Sequence, residues 1–346
     1  MIMDSLFGGA PKGTMKAVRI TQNHQISVIE TTVPAVADDE VLIKPTCCGI
    51  CGTDLHILKH GFVGTNYPVT PGHEFAGHIV AAGRLVRTVK VGDFVAVDPN
   101  VVCGTCRWCK AGRPNLCLHL TPIGVGRAGA AAEYVAVPAR NAFPVNESIG
   151  SDVAALIEPL ACALHAVDSA QGIRDRQVLV LGGGTMGLLI AIAAKHAGAG
   201  HVTLADPASA KLDIARGVGV DAAVQPGNLG QEGQQRFDVV FEAAGVASAL
   251  EQGLELVEKT GVYVQVGVHD EHAQASFTPF KLYEQEFRFI GSNSCADKFS
   301  AAVDLMPDIR DKAQRLIGES FPVWSFDTAV QNMQAGQSIK TQLRFS

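Results

Sequence analysis

The chain changes rhythm near residue 155. From Met15 to about 150, apolar positions come in short runs broken by Gly and Pro. Val41-Leu42-Ile43-Lys44-Pro45, Gly77-His78-Ile79-Val80 and Phe94-Val95-Ala96-Val97 read as strands, with Pro71-Gly72 and Val91-Gly92-Asp93 as turns. This pattern predicts a Gly-rich, mostly antiparallel region that carries loops. Beyond 155, apolar runs of strand length alternate with Ala-rich helical stretches. Strands are expected at 178–181, 201–206, 238–242, 261–267 and 288–291, and helices at 185–197, 208–218 and 247–257. Such alternation implies βαβ units around a buried parallel sheet, an α/β fold. After 297 the rhythm stops. A helical stretch at 301–306 and apolar runs at 322–326 and 342–345 are expected to pack back on the first region. Residues 1–14 read as a loose extension, and no internal repeat is visible.

The first strand–helix junction of the second region carries Gly182-Gly183-Gly184-Thr185-Met186-Gly187, a G-x-G-x-x-G series in the context it requires. Gly182 permits the tight turn, Gly184 lets the backbone approach a pyrophosphate, and Gly187 lets the helix pack on the strand. The helix N-terminus at Thr185 and Met186 offers free N–H groups to phosphate oxygens. Asp206 follows 24 residues after Gly182, at the end of the next strand. A carboxylate there accepts bonds from the ribose hydroxyls and repels a 2′-phosphate, which favours NAD over NADP. Lys211 can reach the adenosine ribose or stand as a solvated helix lysine. Val266 and Val268 complete the candidate cofactor-binding set.

Composition narrows the function. With 28 Lys+Arg against 34 Asp+Glu in 346 residues, the balance disfavours a phosphate-backbone binder. At 47% hydrophobic and 18% charged residues, the chain is too apolar for disorder, and its length suits about two domains. The longest apolar stretch, Val178 to Ala194, holds four glycines and reads as strand, turn and helix rather than a membrane span. Residues 1–15 lack the basic and long apolar segments of a secretory leader, so the nine cysteines point to a cytoplasmic protein rather than a disulfide scaffold.

Four of those cysteines, Cys103, Cys106, Cys109 and Cys117, form C-x2-C-x2-C-x7-C on a Gly-rich loop. Four thiolates so spaced can surround one tetrahedral ion, with Zn²⁺ first and disulfides or an iron–sulfur cluster as alternatives. A closed four-sulfur shell leaves no open position, so this site reads as structural. The loop also holds Arg107, Lys110 and Arg113, but three charges make an ordinary solvated lobe, not a nucleic-acid surface. A second constellation is scattered: Cys51, His73, Glu74 and Glu158 together could make a zinc site with an open position, although spacing alone does not bring them together. Cys47, Cys48, Cys162 and Cys295 have no assigned role and read as small buried residues.

Cys51-Gly52-x-Asp54 with His56, Gly72-His73-Glu74, the four-cysteine loop, Glu158-Pro159-Leu160 and the glycine fingerprint occur in one order. This series resembles the zinc-dependent medium-chain alcohol dehydrogenases over nearly the whole chain. Ile157-Glu158-Pro159-Leu160 and Gly72-His73-Glu74 look most like the polyol (sorbitol, xylitol, arabinitol) and butanediol branch, with threonine dehydrogenases as near neighbours. The resemblance implies a discontinuous GroES-like catalytic domain at 1–156 and 297–346, with a Rossmann NAD-binding domain inserted at 157–296. It implies two Zn²⁺ per chain. Cys51, His73 and Glu74 would hold the catalytic ion, with Glu158 bound directly or through water, and the four cysteines the structural one. It further implies that Thr53 takes the substrate proton and His56 relays it, and that the protein is a homotetramer, with a dimer next.

The expected reaction is oxidation of a secondary alcohol, a polyol, to a ketone by hydride transfer to NAD. Sorbitol dehydrogenases of this family carry an Arg-Tyr pair shortly after the last Rossmann strand. Here the stretch reads Gly291-Ser292-Asn293-Ser294-Cys295, which argues for a different polyol or a smaller diol. The alternatives are a butanediol or L-threonine 3-dehydrogenase activity within the same machinery and, from another class, a catalytically inactive zinc- and NAD-binding protein. Neither a nucleic acid nor a membrane is expected as a partner.

Overall fold

In the first region the strand Glu40–Gly49 is the hub. It pairs antiparallel with Glu74–Ala82, with Val135–Pro138 and with Lys340–Arg344 from the far end of the chain. The computed structural model describes residues 11–59, 61–230, 236–336 and 338–345, so positions 1–10 of the expected extension lie outside the described residues. The sheet runs in the order 317–322, 340–344, 40–49, 74–82, 94–97 and 142–144, all antiparallel except the pair 317–322 with 340–344. A separate hairpin joins Thr14–Ile20 to Ile26–Thr32. The core beneath is aliphatic, with Val41, Ile43, Phe75, Ile79, Val95, Val97 and Leu343 all buried. Register is what positions the site: Gly49 faces Glu74 on one side and Gln342 on the other, two residues before Cys51.

The second region is a six-stranded, all-parallel sheet in the order 222–224, 201–205, 177–181, 237–242, 257–265 and 288–291. Counted along the chain this is 3-2-1-4-5-6, the doubly wound dinucleotide-binding order. Val178–Leu181 is buried on both faces, as its continuous apolar run requires. The helix Thr185–His196 buries every residue from Gly187 to Ala194. The strand Ala222–Val224 and the helix Pro279–Gln285 were not legible; the first is three residues long and the second has no buried residue. The fifth strand starts at Val257, earlier than the expected 261, with an irregular register opposite Phe237–Val239.

The chain divides into Met1–Glu158 with Ile317–Ser346, and Pro159–Leu316. The return to the first unit thus falls at Ile317, later than the expected 297. The cause is the helix Phe299–Gln314, which packs on the helices Thr185–His196 and Ser209–Val218. It buries Phe299, Ala302, Leu305, Met306, Ile309 and Ala313, an i, i+3, i+4 stripe, so it belongs to the parallel-sheet unit. Only the final strands and the helix Phe326–Gln334 return to the antiparallel unit. No described helix is long and apolar enough to cross a membrane.

Candidate functional site

The four-cysteine loop closes on itself. Cys106 precedes the short helix Arg107–Lys110, which contains Cys109, and Cys117 follows the turn Pro114–Leu116. Sulfur–sulfur distances are 3.5 Å for Cys117–Cys103, 3.6 Å for Cys106–Cys109 and 3.9 Å for Cys106–Cys117. A tetrahedral ion with metal–sulfur bonds of about 2.3 Å needs corners about 3.8 Å apart. No disulfide forms; all nine cysteines are free thiols. Backbone N–H groups of Thr105 and Cys106 donate to Cys103 Sγ at 3.5 and 3.3 Å, and that of His119 to Cys117 Sγ at 3.3 Å. Those N–H groups bring the Cys103 thiol down to about 5, whereas desolvation and its thiol neighbours push Cys109 up to about 12. Four sulfurs this close cannot all ionise without a cation among them, so the loop fits a zinc ion.

The second cluster comes from separate segments of the same unit. Cys51 leaves the strand Glu40–Gly49 and opens the helix Gly52–Lys59, while His73 and Glu74 begin the strand Glu74–Ala82. The register between these strands brings Cys51, His73 and Glu74 together, with ligand atoms within 4.8 Å of one another. His73 and Glu74 are buried. Glu158 stands outside this tight group, 8% exposed, and burial pushes its carboxyl up to about 7 against the pull of His73. Burial would lower the His73 imidazole, yet the charges of Cys51 and Asp54 raise it well above its ordinary value. A thiol, an imidazole and a carboxyl within this group, with the Glu158 carboxyl beside it, form a donor set that calls for a cation, and His73 Nδ1 has no hydrogen-bond partner. These residues fit a zinc ion held with a position open.

Two side chains support this cluster: Asp54, present in the Cys51-Gly52-x-Asp54 series without a role of its own, and Lys340, which carries no sequence signal. Asp54, fully buried, accepts the Cys51 N–H at 2.9 Å through Oδ2 and sets Oδ1 3.9 Å from His73 Nδ1. Lys340, in the final strand, is 3% exposed; its Nζ donates to Ile50 O at 2.9 Å and pairs with Glu74 Oε2. Gly49 makes room for this pair, since a Cβ there would stand 2.6 Å from Lys340 Cε and strike Glu74 Oε2. Burial would lower the Lys340 ammonium, but Glu74 raises it. In sequence, a lysine near the end of a chain reads as solvated; only the pairing of the last strand with Glu40–Gly49 buries it. Thr53 and His56 lie three apart on the helix Gly52–Lys59, hence on one face, with Thr53 Oγ1 3.9 Å from Cys51 Sγ.

The glycine turn of the second unit behaves as its sequence requires. Gly182 has φ +103°, and a side chain at Gly187 would collide with the Gly182 carbonyl. A Cβ at Gly184 would meet nothing within 4 Å, leaving the space that a pyrophosphate needs. Asp206 Oδ2 accepts the Gly183 N–H at 2.7 Å and Oδ1 that of Ala208 at 2.9 Å. Lys211 Nζ lies 3.4 Å from Asp206 Oδ2, beside the acid rather than away in solvent. Thr185 and Met186 open the helix. Val266 and Val268 follow the strand Val257–Gln265, with Val268 exposed.

Comparison with known proteins agrees with both units. Residues 37–147 match the model of the alcohol dehydrogenase GroES-like domain, and 185–308 that of zinc-binding dehydrogenase. D-arabinitol dehydrogenase 1 from Uromyces fabae is 32% identical over 340 residues, covering 95% of this chain and 97% of that protein. L-threonine 3-dehydrogenase from Pseudoalteromonas translucida is 36% identical over 350 residues, covering 96% of this chain and 100% of that protein. The crystal structure of a zinc-binding dehydrogenase from Sinorhizobium meliloti 1021 bound to NADP has a TM-score of 0.90 at 35% identity, over 96% of this chain and 99% of that one. The antiparallel unit is thus GroES-like, the parallel unit is a Rossmann sheet, and the chain belongs to the zinc-dependent medium-chain alcohol dehydrogenase family, enzymes that pair zinc with a nicotinamide dinucleotide.

Proposed function

We propose that this chain oxidises a secondary alcohol group of a polyol to the ketone, with NAD as hydride acceptor. The observation that carries the reading is the Cys51–His73–Glu74 cluster, whose ligand atoms lie within 4.8 Å of one another. In this reading Cys51, His73 and Glu74 hold the catalytic zinc, and Glu158 holds it directly or through water. Zinc there supplies Lewis-acid polarisation of the substrate hydroxyl and lowers its pKa. Asp54 fixes the Cys51 backbone and sets a carboxylate oxygen 3.9 Å from His73 Nδ1. Thr53 Oγ takes the hydroxyl proton, and His56, on the same helix face, passes it to solvent. Cys103, Cys106, Cys109 and Cys117 hold the second zinc and fix their loop.

The first unit serves as the catalytic domain and the second as the cofactor domain. Gly182, Gly184, Thr185, Met186 and Gly187 receive the pyrophosphate, Val266 and Val268 the nicotinamide end, and Asp206 with Lys211 the adenosine ribose. The carboxylate of Asp206 supports NAD over NADP. The relative that acts on D-arabinitol supports a polyol, and Ser292, Asn293 and Ser294 supply uncharged polar groups after the last sheet strand. The L-threonine 3-dehydrogenase relative keeps an amino-alcohol substrate as the second reading. A homo-oligomer, a tetramer, is supported by the edge strand Arg288–Gly291 and by Phe277, Phe280, Tyr283 and Phe289, which all stand exposed in the parallel-sheet unit. Nine free thiols suit the cytoplasm.

An initial-rate panel tests the assignment. Nicotinamide reduction is followed with NAD and NADP separately, against C4–C6 polyols, butanediol stereoisomers, threonine and simple alcohols. The expected result is a strong NAD-dependent rate on one polyol. A rate on threonine alone would replace the polyol, and silence with both zinc ions present would overturn the substrate class.

A further inference from the structure

Cys162 and Cys295 stand apart from the four-cysteine loop and from Cys51, His73 and Glu74, but Glu158, on the same helix as Cys162, places a carboxylate oxygen within 4.8 Å of both sulfurs, so they are not scattered core residues. Both lie in the parallel-sheet unit. Cys162 is on the helix Ile157–Ser169 and Cys295 in the bend after the strand Arg288–Gly291, and their sulfurs lie within 4.8 Å of each other. Cys162 is half-buried; Cys295 is fully buried. The bend is an unusual one. Ser294 and Ala296, on either side of Cys295, have φ of +59° and +47°, the left-handed region that non-glycine residues rarely occupy. Such a bend persists only where its surroundings hold it.

Its surroundings do hold it, through the helix Ile157–Ser169 and the turn that follows it. His165, three residues past Cys162, places Nδ1 2.8 Å from Ser294 O, and since a carbonyl only accepts, Nδ1 donates there. Lys298 Nζ pairs with Asp168 at 3.0 Å, and Arg288 donates to Gln171 Oε1 at 2.5 Å and to Ala170 O at 3.0 Å. The helix that carries one thiol thus holds the backbone just before the other, through His165, and the Lys298 side chain just after it, through Asp168. A packing cysteine needs no such fastening, whereas two thiols meant to meet do need a fixed separation.

We propose that Cys162 and Cys295 form a redox-active thiol pair that a hydroperoxide closes to a disulfide. Cys162, the more exposed, reacts first. Its sulfur gives up its proton to water and attacks one peroxide oxygen; the S–O bond forms, the O–O bond breaks, and the departing hydroxide takes a proton to become water. The sulfur is oxidised by two electrons and the peroxide is reduced. Cys295 then attacks the Cys162 sulfur; the S–S bond forms, the S–O bond breaks, and hydroxide leaves with the Cys295 proton as a second water. Two thiols and one hydrogen peroxide thus yield one disulfide and two waters. Closure ties the bend 292–296 covalently to the helix Ile157–Ser169, and a dithiol reverses it.

The zinc-loaded protein is treated with hydrogen peroxide, the excess is destroyed with catalase, and thiols are counted after denaturation in a chelator. The count falls from nine to seven, a non-reducing peptide map shows Cys162 joined to Cys295, bound zinc is unchanged, and dithiothreitol restores nine. In Cys295→Ser the reaction stops one step earlier, and dimedone labels Cys162. Cys162→Ser gives neither the link nor the label. The proposal is overturned if other cysteines are joined, if both thiols stay alkylatable while peroxide strips zinc from the protein, or if Cys295→Ser removes a third zinc, which would make the pair a metal site.

Discussion

The two candidate zinc clusters of this chain are built in opposite ways. The four-cysteine site is closed within one loop of 15 residues, with three of its sulfur pairs 3.5–3.9 Å apart and its hydrogen-bond donors drawn from that loop and from His119 just after it. The Cys51–His73–Glu74 site is assembled across a sheet, buries His73 and Glu74, and leans on Asp54 and on Lys340 from the last strand. The closed site has four like donors and nothing to offer a substrate. The assembled site has three unlike donors, a fourth donor, the Glu158 carboxyl, at one remove, and the Thr53 and His56 side chains on the adjoining helix. Local closure makes a clasp, and long-range assembly makes a reactive centre.

The largest expected effect separates these roles. Cys51→Ser lowers turnover by about three orders of magnitude or more and removes one of two zinc ions, with little change in thermal midpoint. Metal analysis beside the rate assay checks it, and an unchanged rate would dissolve the distinction. The mirror experiment is Cys106→Ser. A structural zinc is worth on the order of 10 kcal/mol to the segment it orders, so cleavage within 103–117 by a probe protease should rise at least about tenfold. Activity per folded molecule should fall far less than in Cys51→Ser.

Lys340→Met sharpens the comparison inside the assembled site. It leaves Glu74 buried beside no cation, a loss of about 3–5 kcal/mol in the metal-free protein. With zinc bound the same substitution should cost less, because the ion then faces the carboxylate. Thermal melts with and without chelator measure the difference; equal losses in both forms would make Lys340 a scaffold residue only.

These contrasts also explain how much was legible in the sequence. The four-cysteine loop and the glycine turn are local, so spacing displayed them, and Gly182, Gly184 and Gly187 each stand where the pattern placed them. Cys51, His73, Glu74 and Glu158 were visible as residues but not as a site; the family resemblance gathered them, and strand register physically brings the first three together. Lys340 was invisible because its burial comes from a pairing almost 300 positions away in the chain, through Ile50. The helix Phe299–Gln314 was half seen, and its side of the division was misplaced, because an amphipathic stripe names a buried face but not the sheet that covers it.

Smaller effects test the cofactor end and the proton path. Asp206→Asn should raise KM for NAD about tenfold, the scale of one charge-assisted hydrogen bond, and leave KM for NADP nearly unchanged. A matching rise with both cofactors would mean that Asp206 only braces the turn through Gly183 and Ala208. His56→Ala should slow turnover by less than about tenfold, mainly below neutral pH. There hydroxide is too scarce to take the proton directly, and zinc content should stay intact. A flat deficit across pH, or lost zinc, would remove His56 from the proton path.

The most direct test of the division of labour uses the unaltered protein. A slow chelator is added, and zinc content, NAD-linked activity and thermal midpoint are followed together through time. The account predicts two zinc ions per chain at the start. Activity disappears with the first ion at nearly constant melting temperature, and the fold weakens as the second leaves. Activity that survives the loss of the first ion, or a chain that holds a single zinc throughout, would contradict it.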